Sequence, residues 1–250
     1  MKPGKKIYFI SDAHFGIPNL EESLEREKRL VRWLGEAEKD AKEFFLLGDI
    51  FDFWFEYKTA VPRGFVRFLG KLCEITDSGI PVNFFTGNHD IWIYDYLPKE
   101  TGVKIHRGPI RRRFNGKTFL IAHGDGLGPS DSYFKIIKRV FRNRLAQHLF
   151  ALIHPDFGIK LAMYLSRKSR KSLPEEEFSF KGEDKEWLVL YARGILQKEH
   201  IDYFIFGHRH VPILFKLNEK STFINIGDWL THFTYAVFDE KRVDLLKYKD

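Results

Sequence analysis

The chain has 250 residues, 44% of them hydrophobic and 30% charged, and a net charge of +7, which is typical of a globular protein with a core of its own. Its one cysteine, Cys73, excludes an internal disulfide and favours a reducing compartment. The opening residues form no apolar leader and no apolar run is long enough to cross a bilayer, so a cytoplasmic protein is expected.

The first third of the chain alternates short apolar runs with helical periodicity. The apolar runs predict buried strands, and each ends in polar residues: the first at Asp12 and His14, the second at Asp49, the third at Asn88. Strands that alternate with helices form a largely parallel sheet, whose carboxyl edge gathers ligand-binding residues. We therefore expect these four side chains to meet at one edge of a sheet.

Two amphipathic helices are predicted between these strands. The first covers about residues 19–39. Its expected inner face consists of Leu20, Leu24, Val31 and Leu34. The expected inner face of the second consists of Phe65, Phe68, Leu69, Leu72 and Ile75. Both helices are expected to pack against a face of the predicted sheet.

The rest of the core is predicted to consist of hairpins and one more strand that ends in polar residues. The Asn-Gly pair at 115–116 suits a two-residue type I′ turn, after which the chain reaches His123. A helix at about 186–198 precedes a strand that ends in the motif GHRH. Two further hairpins are expected around Asn218 and Asp239.

A helical insertion over about residues 130–185 is predicted within this core. It has ten basic residues and one acid between Lys135 and Lys171, an excess that indicates an anionic substrate, membrane surface or nucleic acid as partner. Its apolar stripe, expected to pack within the cap or to line a ligand chamber, consists of Phe141, Leu145, Leu149, Leu152, Leu161 and Leu165. The expected fold class is therefore α/β (α+β), a four-layer β-sandwich flanked by helices, in a single domain of residues 1–250 with a small helical cap.

Polar strand ends recur in five places: SDAH, LGDIFD, GNHD, AHGD and GHRH. One such ending alone is more often a helix cap or a loop residue, but capping does not explain five of them together. Imidazole nitrogens combined with carboxylate and amide oxygens suit first-row transition ions such as Mn²⁺. We therefore predict a site for two divalent metal ions. The predicted ligands are Asp12, His14, Asp49, Asn88, His123, His208 and His210.

The ordered set of these motifs resembles the signature of the calcineurin-like metallophosphoesterase superfamily over most of the chain. The resemblance implies hydrolysis of a phosphoester. It implies one metal ion held by Asp12, His14, Asp49 and His210. It implies a second ion held by Asp49, Asn88, His123 and His208, so that Asp49 bridges the two.

The remaining polar residues of these motifs are candidate catalytic residues. His89 matches the superfamily's histidine that is not a ligand and lies near the leaving group, where it donates a proton or a hydrogen bond. Asp52 or Asp90 is expected to orient His89.

Within the superfamily, the chain is most similar to the UDP-2,3-diacylglucosamine hydrolases of bacterial lipid A synthesis. The similarity lies in chain length, in the run HGDGLGPSDSYF, and in a helical insertion with basic residues before GHRH. It implies release of UMP and 2,3-diacylglucosamine 1-phosphate (lipid X) from a lipid-linked nucleotide sugar, under a cap that accommodates two acyl chains. A basic amphipathic helix can also rest on anionic lipid, so peripheral contact with the inner face of the inner membrane is a further expectation.

The candidate substrate-binding residues come from the metal motifs and from the insertion. They are Asn88, Asp131, Tyr133, Ser166, Arg167, Lys168, Arg170, Lys171 and His208. For Ser166 and the basic residues that follow it, the alternative is a solvated helix end.

Two other functions compete with lipid hydrolysis. His89 stands where typical members of that hydrolase family have arginine, so the alternative is a soluble metallophosphoesterase that acts on nucleotides or other small phosphoesters. A nucleic-acid-binding module would use the basic insertion, but the chain has no recognised nucleic-acid motif, and such a module does not need the metal ligands. No nucleic-acid partner is therefore expected.

Overall fold

The computed structural model describes residues 5–128, 132–171, 179–180 and 182–249. The strands are β1 Lys6–Ile10, β2 Ala41–Leu46, β3 Val82–Phe85, β4 Lys104–His106, β5 Ile110–Phe114, β6 Lys117–Ala122, β7 Tyr203–Phe206, β8 Pro212–Lys216, β9 Thr222–Ile226, β10 Thr234–Phe238 and β11 Val243–Lys247. The helices are α1 Leu20–Ala37, α2 Val66–Asp77, α3 Tyr96–Thr101, α4 Ser132–Phe141, α5 Arg144–Ala151, α6 Pro155–Lys171 and α7 Trp187–Leu196. None of the helices in these residues is long and apolar enough to cross a membrane.

These strands form two sheets, with the orders β11-β10-β1-β2-β3-β4 and β5-β6-β7-β9-β8. In the first sheet β1 to β4 run parallel, as the alternation of strands and helices predicted, and β10 and β11 add an antiparallel edge. The second sheet joins parallel β6, β7 and β9 to antiparallel outer strands. Asn115 and Gly116 both have positive φ, at 44° and 78°, and form the predicted turn between β5 and β6.

The core follows the alternation of side chains along the strands. On β1, Ile7 and Phe9 pack between the two sheets, whereas Tyr8 and Ile10 pack against α1 and α2 on the outer face. α7 covers the outer face of the second sheet through Leu188. The result is the predicted order of four layers: helices, sheet, sheet, helix.

The buried face of α1 differs from the predicted one. Leu20 is 69% exposed, and the helix instead buries a face that includes Leu34 and two charged residues, Arg26 and Glu27. Arg26 donates to the carbonyl oxygens of Ala13 (2.7 Å) and His14 (2.8 Å). The apolar periodicity failed here because polar side chains that hold the site loop occupy part of the inner face.

The three helices of the insertion lie over loops that follow the sheet strands. On α5, Phe150 packs with Phe55 and Trp92, and the Trp92 indole donates to the carbonyl oxygen of Phe141 at the end of α4 (2.7 Å). Lys138 of α4 forms an ion pair with the buried carboxylate of Asp125 (2.7 Å). The insertion is therefore attached to the core by aromatic packing and by an ion pair.

Candidate metal centre

The loops at the carboxyl edges of both sheets bring the predicted metal ligands together. Asp12, His14 and His210 each offer a donor atom within 4.8 Å of the others. The donor atoms of Asp49, His123 and His208 form a second such group. Because the two groups come from β1, β2, β6 and β7, only the stacking of the sheets makes them neighbours.

Asp49 lies between the two groups. Its Oδ2 is 3.3 Å from Nε2 of His123 and 3.9 Å from Nε2 of His14. Its Oδ1 accepts the backbone N–H of His89 at 2.9 Å, which holds the carboxylate in this orientation. The position of Oδ2 is therefore that of a ligand shared by two cations.

The two carboxylate oxygens of Asp12 also have different contacts, as those of Asp49 do. Oδ2 accepts from the hydroxyl of Ser11 and from the backbone N–H of His208 (2.9 Å). Oδ1 lies 3.6 Å from Nε2 of His14 and 3.4 Å from Nε2 of His210. One oxygen is thus fixed by the protein, and the other faces the histidines.

Buried polar atoms test whether this cluster fits a metal. Within the part of the chain that the structure describes, Asp12 Oδ1, Asn88 Oδ1 and His123 Nε2 are buried and make no hydrogen bond. Leaving such an atom unsatisfied costs about 1–3 kcal/mol. A carboxylate oxygen, an amide oxygen and an imidazole nitrogen are all ligands of divalent transition ions. The donor set therefore fits metal binding better than it fits a self-contained hydrogen-bond network.

The electrostatics of the cluster agree with that fit. Burial alone would raise the pKa of Asp49, but His123 and His89 hold it well below its ordinary value. Burial alone would lower the pKa of His123, but Asp49 raises it to about 10. Burial, and then the charge of His123, lowers the pKa of His208 well below its ordinary value. The cluster thus stabilises positive charge beside Asp49, which is the charge that a bound cation supplies.

Backbone strain is concentrated at these ligand positions. Five of the seven predicted ligands have positive φ, between 44° and 68°. They are Asp12, His14, Asp49, His208 and His210. Residues with a Cβ adopt this region rarely and at some cost, and such residues cluster at functional sites. The fold tolerates the strain because these turns aim the side chains at one point.

Two glycines permit the close approach of the loops. A Cβ on Gly87 would lie 2.1 Å from Asp49 Oδ1, and a Cβ on Gly207 would lie 1.9 Å from the Ser11 hydroxyl. Both separations are far below contact distance, so neither loop could take its present position with a larger residue.

Asp228 is a site residue that the sequence motifs did not identify. Its Oδ2 lies 3.3 Å from Nδ1 of His210, and its Oδ1 accepts the backbone N–H of Thr231 (2.8 Å) and of His232 (2.8 Å). Burial would raise the pKa of Asp228, but the hydrogen bond from His210 lowers it below its ordinary value. A carboxylate at this nitrogen leaves Nε2 of His210 facing the centre. The signal was present in the sequence, because NIGD ends β9 in the same way as the five motifs end their strands.

Arg209 was also missed, although it separates the two histidines of GHRH. It is 5% exposed and forms a two-point ion pair with Glu186, with both N···O distances at 3.0 Å. Its guanidinium also lies 4.7 Å from the ring centre of Trp187. This pair fastens the loop that bears His208 and His210 to the start of α7.

Of the two carboxylates predicted to orient His89, Asp52 lies beside the His89 ring and Asp90 does not. His89 Nδ1 lies 2.9 Å from the carbonyl oxygen of Asp52 and 3.7 Å from its Oδ1. The carboxylate of Asp90 instead accepts the backbone N–H of Gly87 (2.7 Å) and of Ile50 (2.9 Å). Burial, and then the charge of Asp49, raises the pKa of Asp90 to about 7. Asp52 is thus the partner found beside His89, while Asp90 holds two site loops together.

The predicted substrate-binding residues are only partly described. Asn88 and His208 lie in the metal cluster, and Ser166 of α6 donates to Asp52 Oδ2 at 2.9 Å. Arg167 and Lys168 are exposed on α6. Asp131 lies outside the described residues, as do the side chains of Tyr133, Arg170 and Lys171.

Comparison with known proteins agrees with the geometry. The sequence profile of the calcineurin-like phosphoesterase family matches residues 5–212. A UDP-2,3-diacylglucosamine hydrolase of Porphyromonas gingivalis is 39% identical over 98% of this chain and 98% of its own. The UDP-2,3-diacylglucosamine hydrolase of Edwardsiella ictaluri is 24% identical over 96% of this chain and 90% of its own. That of Pseudomonas fluorescens is 27% identical over 89% of this chain and 87% of its own. The chain therefore belongs to the calcineurin-like phosphoesterase family of hydrolases, and within it to the family of the UDP-2,3-diacylglucosamine hydrolases.

Proposed function

We propose that this protein hydrolyses the pyrophosphate bond of UDP-2,3-diacylglucosamine, releasing UMP and 2,3-diacylglucosamine 1-phosphate for lipid A biosynthesis. The observation that carries the proposal is the 39% identity, over 98% of both chains, to the Porphyromonas gingivalis hydrolase of that name. The lipid-linked nucleotide sugar is thus the proposed partner, and no nucleic-acid partner is proposed.

The proposed cofactor is a pair of divalent ions, and the mixed nitrogen and oxygen donors favour Mn²⁺. One ion would be held by Asp12, His14, Asp49 and His210, and the other by Asp49, Asn88, His123 and His208. Two such ions would neutralise the phosphoryl oxygens and acidify a water nucleophile. The position of Asp49 Oδ2 between His14 and His123 supports its role as the shared ligand.

His89 is the proposed proton or hydrogen-bond donor to the leaving group. A carbonyl oxygen can only accept, so the contact with the Asp52 carbonyl supports a tautomer in which Nδ1 carries a proton. Nε2 is then the atom available to a substrate, and it would donate from the imidazolium form, in which both ring nitrogens carry a proton. Asp52 is proposed to orient the ring. Asp90 is proposed to hold the loops of Asp49 and Asn88 next to each other through its two backbone hydrogen bonds.

The insertion of about residues 130–185 is proposed to be a cap that binds the lipid and the sugar phosphate. Arg167 and Lys168, with Arg170 and Lys171, would bind phosphate oxygens as hydrogen-bonding cations. Asp131 and Tyr133, from the run that follows His123, are also proposed to contact substrate. Asn88 and His208 would contact the phosphate from the metal side.

The outer surface of the insertion supports a peripheral contact with an anionic bilayer at the inner face of the inner membrane. Most of the predicted apolar stripe is exposed: Leu145, Leu149 and Leu152 are 65%, 56% and 70% exposed, whereas Phe141 packs on Trp92. Exposed cations accompany it, namely Arg139, Arg142, Arg144, Lys160, Arg167 and Lys168. Apolar and basic side chains together are what an anionic lipid surface binds. We expect sedimentation with anionic vesicles and not with neutral ones, and loss of sedimentation in Leu149→Glu.

The alternative is a metallophosphoesterase that acts on nucleotides or other small phosphoesters, because His89 replaces the arginine expected of typical lipid hydrolases. Both functions need the same metal centre, and they differ in the use of the cap. A substrate comparison therefore separates them.

The decisive experiment measures UMP release from UDP-2,3-diacylglucosamine by purified protein with Mn²⁺, beside UDP-glucose and a simple phosphodiester. We expect turnover of the lipid with little turnover of UDP-glucose, and loss of turnover in Asp49→Ala. Cleavage of the simple ester without cleavage of the lipid would overturn the lipid assignment and favour the alternative.

A further inference from the structure

α6 presents an inner stripe to the metal-site loops. The residues on it that are not fully exposed recur at helical spacing: Gly158, Ile159, Ala162, Met163 and Ser166. Gly158 lies so near the core that a Cβ there would be 2.4 Å from the Tyr57 hydroxyl. Met163 packs beside Gly16. Ser166 is thus brought to the centre by a helix seated on the core.

Ser166 contacts the buried carboxylate of Asp52, which lies beside the predicted metal ligands. The Ser166 hydroxyl donates to Asp52 Oδ2 at 2.9 Å and lies 3.4 Å from Nδ1 of His89. The other oxygen, Asp52 Oδ1, is 3.3 Å from Nδ1 of His14 and 3.7 Å from Nδ1 of His89. One carboxylate therefore faces a predicted metal ligand, the candidate proton donor and the insertion.

A hydroxyl has a single proton to donate. When Ser166 gives that proton to Asp52, it has none for a phosphoryl oxygen of a substrate. This arrangement uses the hydroxyl proton for Asp52, while the role of Ser166 as a substrate ligand stays a prediction. The arrangement favours action through Asp52, whose orientation decides which oxygen faces the two histidines.

We propose that Ser166 is a positioning residue through which the seated insertion sets the orientation of Asp52, and thereby of His14 and His89. The inference rests on the proposed phosphoester hydrolysis but not on the lipid as substrate. Its consequence is that the insertion acts on the chemical step as well as on substrate binding. A substrate too small to reach the insertion is then also affected by the loss of this hydroxyl.

The test compares Ser166→Ala, Ser166→Thr and a matched control, Tyr164→Phe, which removes a hydroxyl from the exposed face of the same helix. Each protein is assayed with Mn²⁺ on UDP-2,3-diacylglucosamine and on bis(p-nitrophenyl) phosphate. We expect Ser166→Ala to lower kcat about tenfold for both substrates, as the loss of an outer partner of a site typically does, with little change in KM. Ser166→Thr keeps the hydroxyl and should restore most of kcat, and Tyr164→Phe should match the parent protein.

A double-mutant cycle with Asp52→Asn separates action through Asp52 from general loosening. Ser166→Ala should lower kcat little further when Asp52→Asn is already present. The double variant should also have the metal content and the thermal midpoint of the Asp52→Asn single variant. A full additional loss there would overturn the proposal. So would a Ser166→Ala variant that raises KM for the lipid and leaves kcat on the small ester unchanged. If the parent protein ignores the lipid but cleaves the small ester, the lipid assignment fails, and the small-ester cycle still tests Ser166.

Discussion

At the scale of single residues, the predicted histidine ligands are oriented by neighbouring groups that contact their Nδ1 atoms. His123 donates its Nδ1–H to the carbonyl oxygen of Leu47 at 2.6 Å, and His210 contacts Asp228 through its own Nδ1. In both cases the second ring nitrogen, Nε2, is left to face the cluster. Imidazole ligands held in this way have a defined tautomer and orientation before a metal binds.

Asp228 gives the sharpest test at this scale. Asp228→Asn keeps the size of the side chain but removes the charge that favours proton donation from His210. We expect a fall in kcat and in Mn²⁺ affinity of about ten- to a hundredfold, the usual effect of losing such a partner. Metal titration and steady-state kinetics measure the two quantities.

The matched control is Asp244→Asn, because Asp244 lies on β11 and forms an exposed ion pair with Arg242 at 3.0 Å. Exposed pairs contribute about 0–1 kcal/mol, so this variant should behave like the parent protein. Equal losses in both variants would contradict a specific role for Asp228.

At the scale of elements, two polar networks join neighbouring segments of the fold. The first links β2 to β5 through Glu43, which accepts from Asn83 (2.7 Å) and from Arg112 (2.9 Å). Nε2 of His106 lies 2.8 Å from Asn83 Oδ1. Since Asn83 donates its N–H to Glu43, its oxygen is the acceptor, and His106 is the donor. The second network is the pair of Arg209 and Glu186 at the start of α7.

The first network predicts a dependence of stability on pH. Burial, and then the charges of Lys104 and Arg112, lower the pKa of His106 from 6.5 to about 4. The unfolded chain takes up a proton below pH 6.5, and the folded protein does not until about pH 4. The stabilisation is therefore present above pH 6.5 and is lost as the pH falls towards 4.

We expect this contribution to be roughly 1 to 2 kcal/mol, after allowance for solvent screening of the partly exposed ring. His106→Gln should flatten the dependence of the urea midpoint on pH between 7.5 and 5, while His200→Gln, whose ring is 53% exposed, should not. An unchanged slope in His106→Gln would refute the assignment.

The second network predicts a large effect on stability. Arg209→Met leaves Glu186, which is 1% exposed, as a buried charge that has lost its arginine, and such a loss costs about 3–5 kcal/mol in free energy of unfolding. Urea unfolding of the metal-free protein measures the loss. Adding Glu186→Gln should recover part of it, because the buried charge is then removed. A double variant less stable than Arg209→Met would contradict this account.

At the scale of the whole molecule, the metal centre joins the two sheets. Its predicted ligands follow β1, β2 and β3 in one sheet and β6 and β7 in the other. The unfolded chain has no such site, so a bound ion stabilises only the folded protein. The centre is therefore expected to contribute to folding as well as to hydrolysis.

Metal removal tests this contribution. We expect Mn²⁺ at about a hundred times its dissociation constant to stabilise the protein by about 2.7 kcal/mol, and chelation to reverse this. Thermal unfolding in chelator and in a series of Mn²⁺ concentrations measures the effect. In Asp49→Ala, which lacks the shared ligand, the midpoint should respond weakly to Mn²⁺. A full response in that variant would show that the stabilising ion binds elsewhere.

The amino-acid sequence by itself determined the layered fold and the candidate site. Parallel strands, hairpin turns and polar strand ends are encoded locally, because alternation with period two and turn-forming residues need no knowledge of distant contacts. For the same reason the sequence could place Asp12, Asp49 and His123 at strand ends, whereas the stacking of the two sheets brings these residues together.

Only the tertiary structure decided which side chains support those residues. Arg26 occupies an inner position of α1 because it reaches carbonyl oxygens of the first site loop, and Asp228 and Ser166 reach the site from distant parts of the chain. The cap stripe was expected to pack within the cap or to line a ligand chamber, and most of its leucines, such as Leu149, are exposed. Helical periodicity identifies an apolar face, but what covers that face depends on contacts between segments far apart in sequence.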